Sequence, residues 1–326
     1  MRRLSVLLIS LMLTLLSEAQ TVTLKIIEGL ENQPDLKAKV EKEISKLLTE
    51  FNNAAQNNRG LNLSGINMTN NSKEEIKKMY DLLPFACNDP VYSERCIETV
   101  TGYCIRGILV NLQPQPSYTN ELERELTISF SADGTITKVV FSFNAHMPSL
   151  SKAVEVKDIA RRNTILNFME TYSSWFETKD WGMLKKWISG ESDESIVVGD
   201  NSLYKTSDEL NISEKDITIR FSPDKLIALL DNSKSVRVKS SDVDIVRHPV
   251  RSDFYLVTLC QEITEKPENI DFDKFYFITL WKFSETGKKP QIFFHCWQTE
   301  EDIRGEKDNL IGVEDLNIPF YQESRP

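Results

Sequence analysis

The chain has 326 residues, of which 40% are hydrophobic and 9% aromatic, and its formal net charge is −10. This acidic balance argues against nucleic acid and anionic membrane surfaces as main partners, because both carry negative charge. The length exceeds that of one ordinary domain, so we expect two domains with ordinary hydrophobic cores.

The first residues are typical of a secretory signal peptide. Arg2 and Arg3 give a positive start, residues 4–16 form an apolar run, and small residues precede an expected cleavage after Ala19. As a helix this run would rise only about 20 Å, which is short of the roughly 30 Å hydrocarbon core of a membrane. Residues 1–19 are therefore predicted to be removed, and the protein is expected to be exported, periplasmic or secreted, and not embedded in a membrane.

The first domain is predicted to span residues 20–150 and to combine two helices with several strands. Apolar residues recurring every three or four positions indicate the helices, and Asp133-Gly134 is a hairpin signal between the last two strands. We expect residues 87–101 to be irregular. The predicted elements are a strand at 21–27, helices at 32–57 and 70–83, and strands at 103–112, 126–131 and 136–143.

The second domain is predicted to span residues 154–300, with a linker at 147–153 and a polar tail at 301–326. Helices come first and a run of antiparallel strands comes last, which is an α+β order rather than alternating βαβ. A long helix crossing a curved sheet would form a cone with a pocket inside. The predicted elements are helices at 156–179, after Asp180 and at 222–230, and strands at 195–199, 236–247, 254–264, 272–283 and 291–298.

Several segments stand in an order typical of one known superfamily. In the second domain they are RRNTILNFMETYSSWFETKDWGMLKKWISGESDESIVVGD (161–200), DVDIVRHP (242–249), YLVTLCQ (255–261), FYFITLWKF (275–283) and IFFHCWQ (292–298). In the first domain they are PFACNDPVYSERCIETVTGYCIRGILV (84–110) and LTISFSADGTI (126–136). Together they resemble the nuclear transport factor 2-like (cystatin-like) superfamily, and within it a group of exported Bacteroidetes proteins without an assigned reaction. The resemblance implies a C-terminal cone of helices packed on a curved antiparallel sheet, preceded by a smaller α+β domain.

Alternation along the last strands places aromatic and polar side chains on one face, which would line the cone. Enzymes of the superfamily, such as ketosteroid isomerase and scytalone dehydratase, place Asp, His or Tyr there. In this chain no carboxylate shares the face except at strand ends, so an acid–base pair is not visible. The alternative is that the whole face is core. The ligand-pocket candidates are Tyr255, Gln261, Trp281, His295 and Trp297, with Phe293 beside the last two.

Five cysteines follow the signal peptide, and an odd number leaves at least one unpaired in a monomer. A disulfide between Cys87 and Cys96 is the favoured pairing, with Cys104 as the competing partner. A bond between Cys260 and Cys296 is not expected, because a meander would place a third strand between theirs. No Cys and His spacing matches a metal site, and no glycine-rich phosphate loop indicates a cofactor.

These features favour a non-catalytic binding or interaction protein of the bacterial cell envelope. Its partner would be a small molecule or an envelope protein of unknown identity. The alternative is a small cone-fold enzyme of the isomerase, dehydratase or hydrolase type, which would use the aromatic pocket around His295. A homodimer through the outer sheet face is a further possibility, and that face would carry Leu256, Thr258, Cys260 and Glu262.

Overall fold

The computed structural model of the chain describes residues 21–113, 123–143, 150–183, 196–198, 237–264, 273–284, 290–300, 303 and 310–313. Within them the chain is mixed α+β and divides into two compact units. The first unit comprises Met1–Ile97 and Tyr103–Val139, and the second comprises Glu98–Gly102 and Val140–Pro326. The predicted signal peptide and the helix predicted at 222–230 lie outside the described residues.

The division between the units falls earlier than the predicted linker at 147–153. Phe143 is already part of the hydrophobic core of the second unit, where it is 8% exposed. The segment Glu98–Gly102 also belongs to the second unit, and the Val100 N–H donates to Thr164 Oγ1 at 2.8 Å. These contacts join residues that are distant in sequence. The composition near residue 150, from which the boundary was predicted, therefore does not reveal them.

Both predicted helices of the first unit are confirmed, as α1 (Pro34–Gln56) and α2 (Asn70–Leu82). Pro34 starts α1, where its missing N–H costs nothing because the first helical N–H groups have no intrahelical partner. Thr69 caps α2, since its Oγ1 accepts a hydrogen bond from the Ser72 N–H at 3.2 Å.

The sheet of the first unit has six strands in the order β1-β3-β4-β5-β6, with β2 paired to β4. The expectation that residues 87–101 are irregular is wrong, because β3 occupies most of that segment and pairs in parallel with β1. Its hydrogen-bond partner lies more than sixty residues away, so local pattern could not show it. The strands are β1 (Thr23–Glu28), β2 (Phe85–Cys87), β3 (Val91–Thr99), β4 (Gly102–Leu112), β5 (Glu123–Ser131) and β6 (Ile136–Phe141).

The predicted Asp-Gly hairpin joins β5 and β6. Gly134 has φ +80° and donates its N–H to the Ser131 carbonyl at 2.8 Å. This is the three-residue connection in which a turn is followed by a residue in the left-handed region, where glycine carries no steric penalty.

Helix α1 covers the outer edge of strand β1 with a row of polar side chains. Every second backbone N–H group from residue 22 to residue 26 points away from β3. Without α1, these N–H groups would have no acceptor. Side chains spaced four residues apart along α1 accept them. The pairs are Ile26 N–H to Glu41 Oε1 (2.7 Å), Leu24 N–H to Ser45 Oγ (2.9 Å) and Val22 N–H to Thr49 Oγ1 (3.0 Å).

The second unit packs one long helix, α3 (Val156–Glu177), against a five-stranded sheet in the order β7-β11-β10-β9-β8. Strands β8 to β11 form the predicted antiparallel meander, and β7 joins β11 in parallel. The helix and all five strands lie where the sequence predicts them. The strands are β7 (Ile196–Val198), β8 (Arg237–Arg247), β9 (Phe254–Thr264), β10 (Asp273–Lys282) and β11 (Gln291–Thr299).

One expectation about the surface of the second unit is wrong. Leu256 was expected on an exposed outer sheet face, yet it is 3% exposed. Nearby, the Ile311 N–H donates to Gln298 Oε1 at 2.8 Å, so chain beyond β11 reaches the sheet.

The structure contradicts the disulfide between Cys87 and Cys96, since both are free thiols. The Cys87 thiol donates to the Leu48 carbonyl at 3.6 Å and so points toward α1, whereas Cys96 lies on β3. The meander separates Cys260 from Cys296, as expected: they lie opposite Tyr276 and Ile278 of the intervening strand β10.

Candidate functional site

By backbone register the five predicted pocket residues stand at matching alternate positions of three strands, but these positions do not converge on one point. Tyr255 lies opposite Trp281, whereas Gln261 lies opposite Phe275 at the other end of the same strand pair. Six residues of strand separate Tyr255 from Gln261, which corresponds to roughly 20 Å. The inner face is therefore a strip with two distinct ends.

His295 and Trp297 lie between those ends by backbone register, opposite Thr279 and Phe277. Their side chains are outside the described part of the structure. A β-bulge between Leu280 and Trp281 places Ile292 opposite Trp281. The register thus passes over Phe293, whose side chain also lies outside the described part of the structure, and its predicted place beside His295 and Trp297 stays a prediction.

The Tyr255 end is an internal polar network. The Tyr255 hydroxyl donates to Asp158 Oδ1 at 2.7 Å, and Arg162 Nε donates to the same oxygen at 3.1 Å. Asp158 Oδ2 accepts the Val154 N–H at 3.0 Å, in the turn that begins α3. Both Asp158 and Tyr255 are 0% exposed. The network thus joins the start of α3 to β9.

The pKa values of this pair follow from burial and from the shared hydrogen bond. Burial alone would raise the pKa of Asp158, but hydrogen bonds from Tyr255, Val154 and Arg162 and the Arg162 charge outweigh it and lower that pKa. Burial, and then the bond to Asp158, raise the pKa of Tyr255 to about 12. Asp158 is therefore a carboxylate and Tyr255 a neutral donor near neutral pH.

Trp281, at the same end, also has an internal partner. Its indole Nε1–H donates to Thr279 Oγ1 at 2.8 Å, and both residues are buried. The polar groups of Tyr255 and Trp281 are thus engaged within the protein, and their predicted role in ligand binding stays a prediction.

The Gln261 end differs, because its buried amide donor meets no acceptor within the described residues. Gln261 is 1% exposed, and among the described residues its side-chain Nε2 has no hydrogen-bond partner. The indole Nε1 of Trp175 on α3, a residue 7% exposed, also has no partner within the part of the chain that the structure describes. Buried polar groups are nearly always hydrogen-bonded, so such a pair requires an explanation.

The course of α3 over the sheet is marked by ring contacts. The Phe168 ring meets the Trp281 ring edge-on at 5.0 Å, and the Tyr172 ring stacks on Phe277 at 4.5 Å. Advancing along α3 therefore moves along β10 toward Phe275, the cross-strand neighbour of Gln261. Trp175 follows Tyr172 by about one turn, and its ring meets the Phe168 ring edge-on at 6.2 Å.

Sequence reasoning singled out Gln261 but missed Trp175 and Asp158 as polar groups. The helical spacing placed Trp175 on the buried face of α3, and that pattern measures only hydrophobicity. A buried indole N–H still needs an acceptor, and this requirement could have marked Trp175 as a polar group from the sequence. Asp158 gave no signal of its own, since an acidic residue in the first turn of a helix is ordinary.

Within the described ranges, no group of three or more His, Cys, Asp or Glu residues is arranged to hold a metal ion. In those same ranges, no helix combines the length and apolar character needed to cross a membrane.

Comparison with known proteins identifies no family. No family model and no curated protein matches the chain. Among solved structures, the chain is similar to an NTF2-like protein from Cytophaga hutchinsonii ATCC 33406, with 16% sequence identity over 42% of this chain and 97% of that chain. The TM-score of this match is 0.27, and a likeness at that level carries no argument.

Proposed function

We propose that this chain is an exported, non-catalytic binding protein of the bacterial cell envelope, with a nuclear transport factor 2-like second domain. Its ligand is held between α3 and the inner sheet face and bonds to Gln261 and Trp175. The predicted signal peptide supports export, and the ordered segments quoted above support the family. The two buried donors that meet no acceptor within the described residues carry the binding proposal.

The chemistry of the two donors defines what the ligand must offer. The Gln261 amide and the Trp175 indole both present N–H groups, so they call for hydrogen-bond acceptors such as carbonyl or carboxylate oxygens. Tyr172, Phe176 and Phe277 pack on one another and provide an aromatic wall between α3 and the sheet. The ligand class is therefore an apolar, flat molecule that carries an oxygen acceptor.

Energetics support a ligand over a purely structural role. A buried donor without an acceptor costs about 1–3 kcal/mol of folding free energy, and two such donors occur among the described residues between α3 and the sheet. A bound acceptor recovers that cost only in the complex, which favours binding. At the opposite end, Asp158 already accepts three hydrogen bonds, so this carboxylate is occupied rather than poised for acid–base chemistry.

The test uses two tryptophans of the same core as a matched pair. Trp175→Phe removes an indole donor that has no partner among the described residues, whereas Trp281→Phe removes one bonded to Thr279. The probe is 1-anilinonaphthalene-8-sulfonate, which joins an aromatic body to acceptor oxygens. We expect Trp175→Phe and Gln261→Met to weaken probe binding about tenfold or more while leaving unfolding free energy unchanged or higher.

Trp281→Phe is expected to lower stability by about 1 kcal/mol and to leave probe binding intact. The proposal fails if Trp175→Phe loses as much stability as Trp281→Phe with unchanged probe binding, since the indole then serves packing alone. Native mass spectrometry of protein purified from its own envelope would identify a co-purifying ligand.

A further inference from the structure

Exposed apolar side chains cluster on one surface of the second unit, remote from the Gln261 end. Among the described residues, eight large hydrophobic side chains are exposed, and five of them surround the start of α3 and the turn between β8 and β9. We call these five the apolar patch: Val154 (74% exposed), Val156 (75%), Ile159 (37%), Val246 (39%) and Val250 (85%).

Ion pairs show that the members of the apolar patch are neighbours. Glu155, which stands between Val154 and Val156, pairs with Arg247 at 3.2 Å, and Arg247 follows Val246 directly. Lys152 pairs with Asp244 at 2.6 Å. The segment before α3 therefore runs beside the end of β8.

The turn that displays Val250 is unusually well anchored for a surface connection. His248 Nδ1 accepts the N–H groups of Val250 at 3.2 Å and Arg251 at 2.9 Å. The Ser252 carbonyl accepts from Arg161 at 2.9 Å and from Arg247 at 3.3 Å. Val250 is thus held out on a rigid turn, which lowers the conformational cost of placing it in a partner.

Basic residues surround the patch although the chain as a whole is acidic. Arg251 lies over the Phe254 ring at 4.4 Å, and Lys282 lies over the same ring at 5.7 Å. The surface around the patch carries five basic side chains, Lys152, Lys157, Arg247, Arg251 and Lys282, against three acidic ones, Glu155, Asp244 and Asp253, each of which pairs with one of the basic groups. The local excess of positive charge contrasts with the net charge of −10.

We propose that this surface rests on an anionic lipid membrane, with the side chains of the apolar patch at the headgroup boundary. Protruding aliphatic side chains flanked by Arg and Lys suit a fluid surface, which needs no complementary pocket. Basic residues near a membrane are attracted by anionic headgroups. The proposal concerns a surface distinct from the proposed ligand site and does not depend on it.

The overall acidity does not prevent this contact when the patch faces the membrane. At about 0.1 M salt the Debye length is about 10 Å, so acidic groups on the far side of the protein are largely screened from the lipid. The basic groups beside the patch lie within that distance of the headgroups, and five of them stand against three carboxylates, so the patch keeps an excess of two positive charges. Binding should therefore depend on orientation and fall at high salt.

The experiment measures co-flotation with lipid vesicles. The chain from Gln20 onward retains every described residue and removes the apolar run 4–16 as a source of lipid binding. Vesicles of phosphatidylglycerol and phosphatidylcholine in equal parts are compared with phosphatidylcholine alone, at about 0.1 M and about 1 M salt. We expect binding to the anionic vesicles at the lower salt, with a loss of at least about fivefold on neutral lipid or at the higher salt.

Matched variants separate the patch from unspecific adhesion. Val250→Asp, Val156→Asp and Lys157→Glu, all at exposed positions, should each reduce anionic-vesicle binding about fivefold or more. Ile27→Asp and Lys25→Glu change exposed residues of the first unit and should leave binding unchanged. Equal binding by Val250→Asp and Ile27→Asp overturns the proposal.

Two other outcomes would assign the surface to a different occupant and also overturn the lipid proposal. One is a dimer in sedimentation that Val250→Asp dissociates, with no vesicle binding, which indicates a second copy. The other is binding of poly-L-glutamate that Val250→Asp abolishes, again without vesicle binding, which indicates an acidic polypeptide.

Discussion

The hydroxyl of Tyr255 donates a hydrogen bond to Asp158 Oδ1 at 2.7 Å, which joins β9 to the first turn of α3 across 97 residues of chain. Both partners are buried, and Asp158 has two further donors, Arg162 Nε and the Val154 N–H. This contact fixes where α3 begins on the sheet. It therefore also sets which helix residues reach the Gln261 end of the face.

Removing the Tyr255 hydroxyl should destabilise the protein. Tyr255→Phe keeps the ring but leaves Asp158 with one donor fewer, and we expect a loss of about 1–3 kcal/mol in urea denaturation. Tyr276→Phe is the matched control, because its hydroxyl donates at 3.2 Å to the more exposed Glu300, and it should cost less than about 1 kcal/mol. Equal losses in the two variants would contradict the assigned role of the Asp158 contact.

The same contact predicts a pH dependence. The folded pKa of Asp158 is lowered, so its stabilising contribution is present above the ordinary carboxyl pKa near 4 and is lost as pH falls through the folded value. Tyr255→Phe removes one of the causes of that shift. The stability difference between wild type and Tyr255→Phe should hardly change between pH 5 and pH 7 and shrink below about pH 4.

Glu94 predicts the opposite pH dependence in the first unit. Burial, and then the charge of Glu125, raise the pKa of Glu94 to about 7. Its contribution is thus fully present below the unfolded pKa near 4.5 and is lost as pH rises through about 7. Glu94→Gln should stabilise the protein at pH 8, by about 1–2 kcal/mol because solvent screens this partly exposed group, and have little effect at pH 4.

Thermal melts of Glu94→Gln across pH 4 to pH 8 measure that prediction. Glu74→Gln, at an exposed position of α2, serves as the control and should show no such trend. A stabilisation by Glu94→Gln that is as large at pH 4 as at pH 8 would rule out titration of Glu94 as its cause.

The row of α1 side chains along β1 makes a prediction about the sheet edge. Ser45→Ala should orphan the N–H of Leu24, a residue 1% exposed, and cost about 1–3 kcal/mol. Hydrogen exchange of the Leu24 amide should also accelerate. Ser93→Ala, at an exposed position of β3, should change neither quantity, and a similar loss there would mean that the edge contact is not the cause.

Alanine variants of two glycines with positive φ should distinguish the cost of backbone strain from the cost of steric overlap. Gly29 has φ +101°, and a Cβ there would overlap the Cys96 carbonyl, whereas Gly65 has φ +78° with open space around it. Gly65→Ala should cost about 1–2 kcal/mol, the penalty of the left-handed conformation alone. Gly29→Ala should cost more than about 4 kcal/mol, because the backbone itself must move. Comparable urea midpoints for the two variants would refute this distinction.

Most helices and strands of this protein could be predicted from periodicity. Helices α1 and α2 each bury one apolar stripe, and apolar residues also recur at helical spacing along α3. The strands of the meander β8 to β11 show apolar runs of strand length, so residues close in sequence carry the signal. Strand β3 could not be predicted in this way, since a parallel partner far away in sequence supplies its hydrogen bonds. The β-bulge at Trp281 could not be predicted either, because the alternation of apolar and polar residues does not reveal one extra residue in the facing strand.

The sequence by itself determined the acidic balance, the α+β order of elements and the face on which Tyr255, Gln261 and Trp281 lie. Only the tertiary structure decided what their polar groups do. Tyr255 and Trp281 have internal partners in Asp158 and Thr279, while Gln261 and Trp175 have none among the described residues. The physical reason is that alternation and helical period report which side of an element is buried. Whether a buried donor meets an acceptor depends on how α3 crosses the sheet, and that geometry is set by contacts between residues nearly a hundred positions apart.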